Sequence, residues 1–260
     1  QRQMCIRDSD STYDAGTTTQ LMWGARSDVG CVRPHNEDSY LVQSPLFCVC
    51  DGMGGHAAGE VASSIAVETI AKTAPQSADA ARLAAAVEAA NAAVIEAALN
   101  GLGKPGMGCT ATCAYIENDT LAIAHVGDSR AYLLHEGTLI RVTRDHSYVE
   151  ELVDAGEITA DEARVHPNRS VITRALGSDP AMYADHFTLH IEEGDRLILC
   201  SDGLSSMIPD SDIENIATQS SSAQICVDNL VDAALAAGGH DNVTVVVVDL
   251  VDDGVMREAK

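Results

Sequence analysis

The sequence predicts a single α+β domain, made of antiparallel strands and of helices that lie apart from them in the chain. Three observations predict this class. Between residues 108 and 143, apolar residues alternate with a period of two in four short runs, as in an antiparallel meander. Apolar residues recur at helical spacing in residues 60–74 and 78–100. No internal repeat or linker divides the 260 residues, so one large core is expected.

The first half of the chain predicts five structural segments before the meander. An edge strand and turn are expected at 21–30, and two short strands at 40–42 and 47–50. The other two segments are the helices expected at 60–74 and 78–100, and the second of these is rich in alanine, which favours helix. Its narrow apolar stripe indicates packing on a sheet rather than a groove for a partner. The strands of the meander are expected at 109–116, 121–126, 131–135 and 138–142.

Residues 144–186 interrupt the strands and predict a flap. Two short helical pieces are expected at 147–155 and 160–165, the second opened by a capping box of Thr159 and Glu162. An insertion of this size between strands is often a lid or a segment that contacts substrate. Three of its arginines either meet an anionic substrate or, more commonly, face solvent: Arg164, Arg169 and Arg174. The elements expected afterwards are strands at 187–191 and 196–200 joined by a hairpin turn, helices from 211 and at 223–237, and a strand at 243–250.

The formal charge of −23 excludes most nucleic-acid readers and argues against binding to anionic membranes, because both depend on basic surface. No apolar segment reaches the roughly 18 residues of a membrane span, and no signal peptide is visible. Several of the eight cysteines lie in apolar runs without zinc-site spacing, which indicates reduced thiols packed as small hydrophobes. A cytoplasmic monomer is therefore expected.

Residues 1–20 are polar and lack periodicity. They are expected to be a disordered leader or an assembly remnant that joins nothing downstream. The predicted domain therefore begins at residue 21.

Four aspartates lie beside apolar, strand-like runs. They are Asp51 in F-C-V-C-D-G-M-G-G, Asp128 in V-G-D-S-R, Asp202 in L-C-S-D-G-L and Asp241 in G-G-H-D-N-V-T. An Asp-Gly pair after a strand is most often a plain turn, and Asp128 alone fits turn chemistry best. Four acids at four strand edges can nevertheless converge. Such a cluster of carboxylates would suit a hard cation.

Two neighbouring features extend this candidate site. The glycines after Asp51 let the backbone turn tightly and bring a carbonyl group close to a bound ion. Arg33, Glu37 and Asp38 fall within six residues of one another. They form either an exposed loop or a phosphate-binding guanidinium beside metal-binding carboxylates.

Six motifs in this order resemble those of the metal-dependent serine/threonine protein phosphatases, type 2C, and in particular their bacterial members. The resemblance covers residues 21–250. The motifs are R-P-H-N-E-D-S, D-G-M-G-G-H-A-A-G-E, G-C-T-A-T, V-G-D-S-R, S-D-G-L and G-H-D-N-V-T.

The resemblance implies a four-layer αββα sandwich, in which helix pairs flank two central antiparallel sheets. The helices after Asp51 would cover one sheet, and those after Asp202 the other. A single phosphatase domain would span residues 21–252 and carry the flap at 144–186.

The resemblance also implies a site for two Mn²⁺ or Mg²⁺ ions, with a third, weaker ion in bacterial members. Asp51 would bridge both ions, and the Gly52 carbonyl group would bind one of them. Asp202 and Asp241 would bind the other. The remaining metal residues would be Glu37 and Asp38, acting through water, and Asp128, which with Asp202 would hold the third ion.

Arg33 matches the arginine that binds the substrate phosphate in this family. His56 and Asn242 are candidates to lie behind the ligands and orient them. Met53 stands where animal members carry a histidine, as it does in bacterial members, so the group that protonates the leaving alkoxide stays open. The catalytic set implied by the resemblance is Arg33, Asp51, Asp202 and Asp241.

The implied activity is hydrolysis of phosphoserine and phosphothreonine in proteins by a water that the metals bridge and activate. The substrates would be phosphoproteins made by serine/threonine kinases. Two alternatives are a catalytically inactive scaffold that binds phosphoproteins and a hydrolase of small phosphate esters. The scaffold is disfavoured because no metal-site acid is missing. The flap would decide between protein and small-ester substrates.

Overall fold

The computed structural model describes residues 11–17, 20–54 and 58–251, and arranges them in four layers. The strands are β1 (Ser11–Thr17), β2 (Leu21–Asp28), β3 (Asp38–Gln43), β4 (Leu46–Met53), β5 (Gly108–Cys109), β6 (Ala111–Glu117), β7 (Thr120–Val126), β8 (Arg130–His135), β9 (Thr138–Arg141), β10 (Asp185–His190), β11 (Arg196–Cys200) and β12 (Val243–Leu250). The first sheet has the order β1-β2-β12-β11-β8-β9, and the second has the order β10-β7-β6-β4-β3 with β5 paired to β4. All of these pairings are antiparallel.

The helices form the two outer layers and the flap. They are α1 (Ala58–Thr73), α2 (Ala80–Leu99), α3 (Tyr148–Asp154), α4 (Ala160–Val165), α5 (Asp202–Ser205), α6 (Asp210–Gln219) and α7 (Ala223–Ala236). The pair α1 and α2 packs on the second sheet, and α6 and α7 share a core with the first sheet. The predicted α+β sandwich with helix pairs on both outer faces is confirmed.

Three apolar layers hold the sandwich together. Side chains such as Phe47, Ile123 and Leu199 fill the space between the sheets and are fully buried. The layer beneath α1 and α2 is rich in alanine, which allows the helices to pack closely on the sheet. Cys48 and Cys50 face this layer on the same side of β4, as alternation predicts, with their sulfur atoms 3.6 Å apart.

The predicted four-strand meander is wrong. The strands β6 and β7 belong to the second sheet, whereas β8 and β9 belong to the first. The turn at Gly127, where φ is 108°, therefore carries the chain from one sheet to the other. The predicted hairpin at 192–195 is wrong for the same reason, because it joins β10 to β11 across the sandwich. Alternation identifies a strand but not the sheet that it joins.

The expectation that residues 1–20 join nothing is wrong for β1. Its seven residues pair with β2, from Ser11 opposite Asp28 to Thr17 opposite Met22. The strand at Leu21 consequently lies inside the sheet and is not an edge strand. Strand pairing uses backbone groups, which any sequence supplies, so the lack of apolar periodicity did not reveal it. Residues 1–10, 18 and 19 lie outside the described residues.

The predicted flap helices are confirmed as α3 and α4. The side chain of Ser147 caps α3, and the capping box of Thr159 and Glu162 opens α4. Helix α5, a single turn, was not predicted. Within the described ranges, no helix combines the length and the apolarity needed to cross a bilayer.

Candidate metal centre

The ends of the strands bring the predicted acids to one end of the sandwich. Asp38 begins β3 and lies opposite Asp51 on β4. Asp202 lies two residues after the end of β11, and Asp241 lies two residues before the start of β12. Because β11 pairs with β12, these two acids reach the same end of the first sheet. Asp128 lies in the turn that crosses between the sheets.

Asp38 is the acid whose surroundings are best defined. Its Oδ2 accepts hydrogen bonds from the hydroxyl groups of Thr244 at 2.6 Å and Ser201 at 2.8 Å. Its Oδ1 is buried and has no hydrogen-bond partner. Burial raises the pKa of Asp38 to about 7, although the two hydroxyl groups lower it, and the charges of Asp202 and Asp241 raise it further. The free oxygen is therefore available to a ligand.

The pKa values of the other acids at this site are also raised, partly because their negative charges repel one another. Burial, and then the charges of the neighbouring aspartates, beginning with Asp38, raise the pKa of Asp51 well above its usual value. Burial and Asp241 raise the pKa of Asp202 to about 6, against the lowering effects of a hydrogen bond with Asp51 and the charge of Arg33. Burial and the charge of Asp202 likewise raise the pKa of Asp128. Positive charge at this site would relieve the repulsion among these carboxylates.

Close backbone packing places Glu37 beside Asp51. The amide of Gly52 donates to the Glu37 carbonyl oxygen at 3.1 Å. The Ser63 hydroxyl group of α1 donates to the same oxygen at 2.7 Å. A Cβ atom on Gly52 would collide with the Gly59 carbonyl oxygen, and one on Gly59 would lie 2.8 Å from Glu37 Oε2. Only glycine fits at these two positions.

Asn242 fixes the loop that carries the first acidic motif. Its side-chain amide donates to the carbonyl oxygens of Val29 and His35, both at 2.9 Å. Its Oδ1 accepts from the Glu37 amide at 2.9 Å. These hydrogen bonds connect Asn242, the neighbour of Asp241, to residues 29–37, the segment that leads to Asp38. The structure thus places Asn242 behind the acids, while His56 lies outside the described residues.

Arg33 lies at the mouth of a cleft of about 640 Å³ that Asp128, Asp202 and Asp241 also line. Its guanidinium group donates to Asp241 Oδ2 at 2.8 Å, and its side chain is half exposed. The flap arginines Arg164 and Arg169 line the same cleft.

The third flap arginine has another role. Arg174 donates to Asp185 Oδ1 at 2.5 Å and stacks on the ring of Tyr183 at 4.2 Å. It does not line the cleft. Of Arg164, Arg169 and Arg174, the first two therefore line the cleft and the third does not.

The chemistry of these acids fits divalent cations. In the described part of the chain, no three Asp, Glu, His or Cys side chains form a metal site by themselves, so carbonyl groups and water would have to complete the coordination. Three buried oxygens that lack partners are available: Asp38 Oδ1, Asp128 Oδ1 and Asp202 Oδ1. A donor set of oxygens alone selects Mg²⁺ or Mn²⁺ over zinc.

Sequence reasoning missed the residues that orient Asp38. Ser201 and Thr244 lie inside the motifs S-D-G-L and G-H-D-N-V-T, each near a predicted ligand. A hydroxyl side chain next to a strand-end acid was the available signal. It was not sufficient, because both hydroxyl groups act on an acid more than 160 residues earlier in the chain.

Comparison with known proteins agrees with this architecture. The sequence model of the family described as Protein phosphatase 2C matches residues 23–243. Serine/threonine protein phosphatase PstP of Mycobacterium tuberculosis is 43% identical over 244 residues, which cover 92% of this chain and 46% of that protein. The chain thus spans about half the length of this relative. Serine/threonine phosphatase stp of Listeria welshimeri is 37% identical over 86% of this chain and 94% of its own length.

Solved structures are similar over nearly the whole domain. The crystal structure of PstP/Ppp from Mycobacterium tuberculosis has a TM-score of 0.84 at 42% identity, covering 89% of this chain and 99% of that chain. The catalytic domain of PstP in complex with two manganese ions has a TM-score of 0.83 at 40% identity, covering 90% and 99%. With the family match, the two curated relatives and these structures all agreeing, the chain belongs to the protein phosphatase 2C family.

Proposed function

We propose that the protein is a metal-dependent phosphatase that hydrolyses phosphoserine and phosphothreonine in proteins. The observation that carries this proposal is a group of buried carboxylates with unpartnered oxygens beside an exposed arginine in an open cleft. Family membership and the names of the relatives support it.

The acids would hold the cations in the arrangement that the resemblance implies. Asp51 would contact two ions, with the Gly52 carbonyl group, Asp202 and Asp241 completing the direct ligands. Glu37 and Asp38 would bind through water, and Asp128 with Asp202 would hold a third, weaker ion. When bound, a pair of divalent cations supplies the nucleophile by lowering the pKa of water. The two manganese ions in the PstP catalytic domain support Mn²⁺ or Mg²⁺ here.

Arg33 would bind the phosphoryl group. Its guanidinium group presents paired N–H donors that match two phosphoryl oxygens. In the present structure it donates to Asp241, so substrate binding would exchange a carboxylate partner for a phosphate partner. That exchange would leave Asp241 free to act as a metal ligand.

The metal ligands must lose protons before they bind cations. The raised pKa values of Asp38 and Asp202, about 7 and about 6, mean that part of the acid group is protonated near neutral pH when no cation is present. Cation binding would therefore release protons.

Phosphoproteins are the substrates that the cleft favours. It is open and bordered by the flap, whose Arg164 and Arg169 offer positive charge beyond Arg33. Substrates of serine/threonine kinases and a cytoplasmic location follow as parts of the same proposal. The inactive scaffold and the hydrolase of small phosphate esters remain the alternatives that experiment must distinguish.

A Mn²⁺ titration tests the proposal. Hydrolysis of a phosphothreonine peptide is measured for wild type, for Asp202→Asn and for Asp212→Asn, a matched control on the exposed face of α6. We expect activity that requires Mn²⁺, collapses in D202N and persists in D212N. Folded wild type that binds the peptide without hydrolysing it would instead support the scaffold. Turnover of p-nitrophenyl phosphate alone would support the small-ester hydrolase.

A further inference from the structure

The flap begins with a buried histidine whose two ring nitrogens bind different parts of the molecule. His146 is 3% exposed and lies two residues before α3. We propose that His146 is a positioning residue: its Nδ1 holds the turn that carries Asp128, and its Nε2 joins the two ends of the flap. This inference rests on the proposed function.

The Nδ1 side of the ring fixes the Asp128 turn. The Gly127 amide donates to Nδ1 at 3.0 Å, and the His146 amide donates back to the Gly127 carbonyl oxygen at 2.7 Å. Gly127 has a φ of 108°, and an added Cβ would lie 2.5 Å from Thr110 Cγ2. Because Asp128 Oδ1 has no hydrogen-bond partner, the backbone of this turn largely decides where that carboxylate points.

The Nε2 side of the ring connects the first residues of the flap to its last residues. Nε2 lies 3.0 Å from Asp185 Oδ2, at the residue where the flap returns to β10. Arg174 donates to the other oxygen of the same carboxylate. The Thr173 amide donates to the His146 carbonyl oxygen at 2.9 Å. The entry and the return of the flap are therefore joined through one side chain.

The hydrogen bonds define the state of the imidazole. Nδ1 accepts from an amide and so carries no proton, which leaves the proton on Nε2, where it is donated to Asp185. Burial lowers the pKa of His146, although the bond to Asp185 raises it, and the neutral form is therefore favoured. The ring of His125 packs against it with centroids 5.0 Å apart.

The two bonds predict two separable effects. The Gly127 bond acts on Asp128 and therefore on the proposed weak cation site. The Asp185 bond acts on the flap, whose Val149, Val153 and Arg164 line the cleft. A residue that merely filled space would affect both together.

Two amide substitutions separate the bonds. In His146→Asn the amide oxygen takes the place of Nδ1, so the Gly127 bond is kept and the Asp185 bond is lost. In His146→Gln the amide nitrogen reaches the place of Nε2, so the Asp185 bond is kept and the Gly127 bond is lost. The matched control is His186→Asn, because His186 is exposed and lies next to Asp185 in β10.

Three measurements are made on the full chain: Mn²⁺ binding by calorimetry, hydrogen exchange of the flap amides, and KM for the phosphothreonine peptide. We expect H146Q to weaken the weakest Mn²⁺ site about tenfold, as loss of a partner behind a ligand typically does, without faster flap exchange. We expect H146N to raise KM and to speed exchange of the Tyr148 amide, which donates to Val171, while Mn²⁺ binding is unchanged. H186N should match wild type.

Equal changes in both variants, or no change in either, would overturn the inference. If neither variant folds, Asp185→Ala removes the acceptor of the Nε2 bond and should reproduce the effects expected of H146N. Arg174→Gln is its control, because Asp185→Ala also removes the ion pair with Arg174. If wild type hydrolyses no peptide, the proposed function fails, but calorimetry and hydrogen exchange still test the role of His146.

Discussion

The Thr244 hydroxyl group donates to Asp38 Oδ2 at 2.6 Å and so links the first sheet to the second directly beneath the acid group. Ser201, at the end of β11, donates to the same oxygen. Together they hold one oxygen of Asp38 and leave the other without a partner. The sandwich thereby orients a carboxylate that it also keeps from water.

Replacing Thr244 by Val removes this donor while keeping the shape of the side chain. We expect the affinity for Mn²⁺ to fall by about tenfold or more, because a partner behind a ligand sets its orientation and charge. Calorimetric titration with Mn²⁺ measures the change. Thr244→Ser keeps the hydroxyl group and should bind Mn²⁺ as wild type does; equal losses in the two variants would contradict the role assigned to the hydroxyl.

Asn242→Asp should damage both stability and activity. The substitution removes the donors to Val29 and His35 and places a negative charge against their carbonyl oxygens. Because these groups are buried, we expect the free energy of unfolding to fall by about 3 kcal/mol and hydrolysis to fall with it. Urea denaturation measures the first effect. Asn229→Asp on the exposed face of α7 serves as the control, and a loss of similar size there would show that added charge alone is responsible.

Gly59→Ala should push α1 away from β4. The new Cβ would lie 2.7 Å from the carbonyl carbon of Gly52 and 2.8 Å from Glu37 Oε2. Overpacking of this kind costs about 1–3 kcal/mol, and here it would also displace a predicted ligand. Thermal unfolding and Mn²⁺ titration measure the two effects. Glu60→Ala, at the next and exposed position, should leave both nearly unchanged.

In the metal-free protein, Asp38 and Asp202 should contribute stability that is lost as pH rises from about 4 to about 7. Asp38 and Asp202 have pKa values of about 7 and about 6 when folded, and both would titrate near 3.9 when unfolded. At these two carboxyl groups the folded state therefore binds more protons in this window, and their contribution to the free energy of unfolding falls as pH increases. Urea denaturation in a chelating buffer at pH 5 and pH 8 tests this. Asp38→Asn should make the pH dependence shallower; an unchanged slope would contradict the assignment.

Much of the fold and the site was predictable because it depends on local pattern. Helical spacing predicted α1 and α2, and the capping box of Thr159 and Glu162 predicted α4. The predicted acids that the structure describes do gather at one end of the sandwich, because each lies at or near the end of a strand there. Arg33 also lines the cleft, as expected.

The errors share a physical cause. The two false hairpins and the unforeseen β1 all concern which strand pairs with which, and strand pairing uses backbone groups that every residue carries. Likewise, nothing near Asp38 in the chain indicates Thr244, and nothing near Gly127 indicates His146. These partners are brought together by the stacking of two sheets.

Motif order and short-range periodicity were enough to predict the family, most of the helices and strands, and the candidate acids. The sheet that each strand joins, the contacts of Ser201 and Thr244 with Asp38, and the contacts of His146 with the Asp128 turn and the flap could be seen only in the folded molecule. Those relationships depend on contacts between distant residues, and the packing of the two sheets creates them.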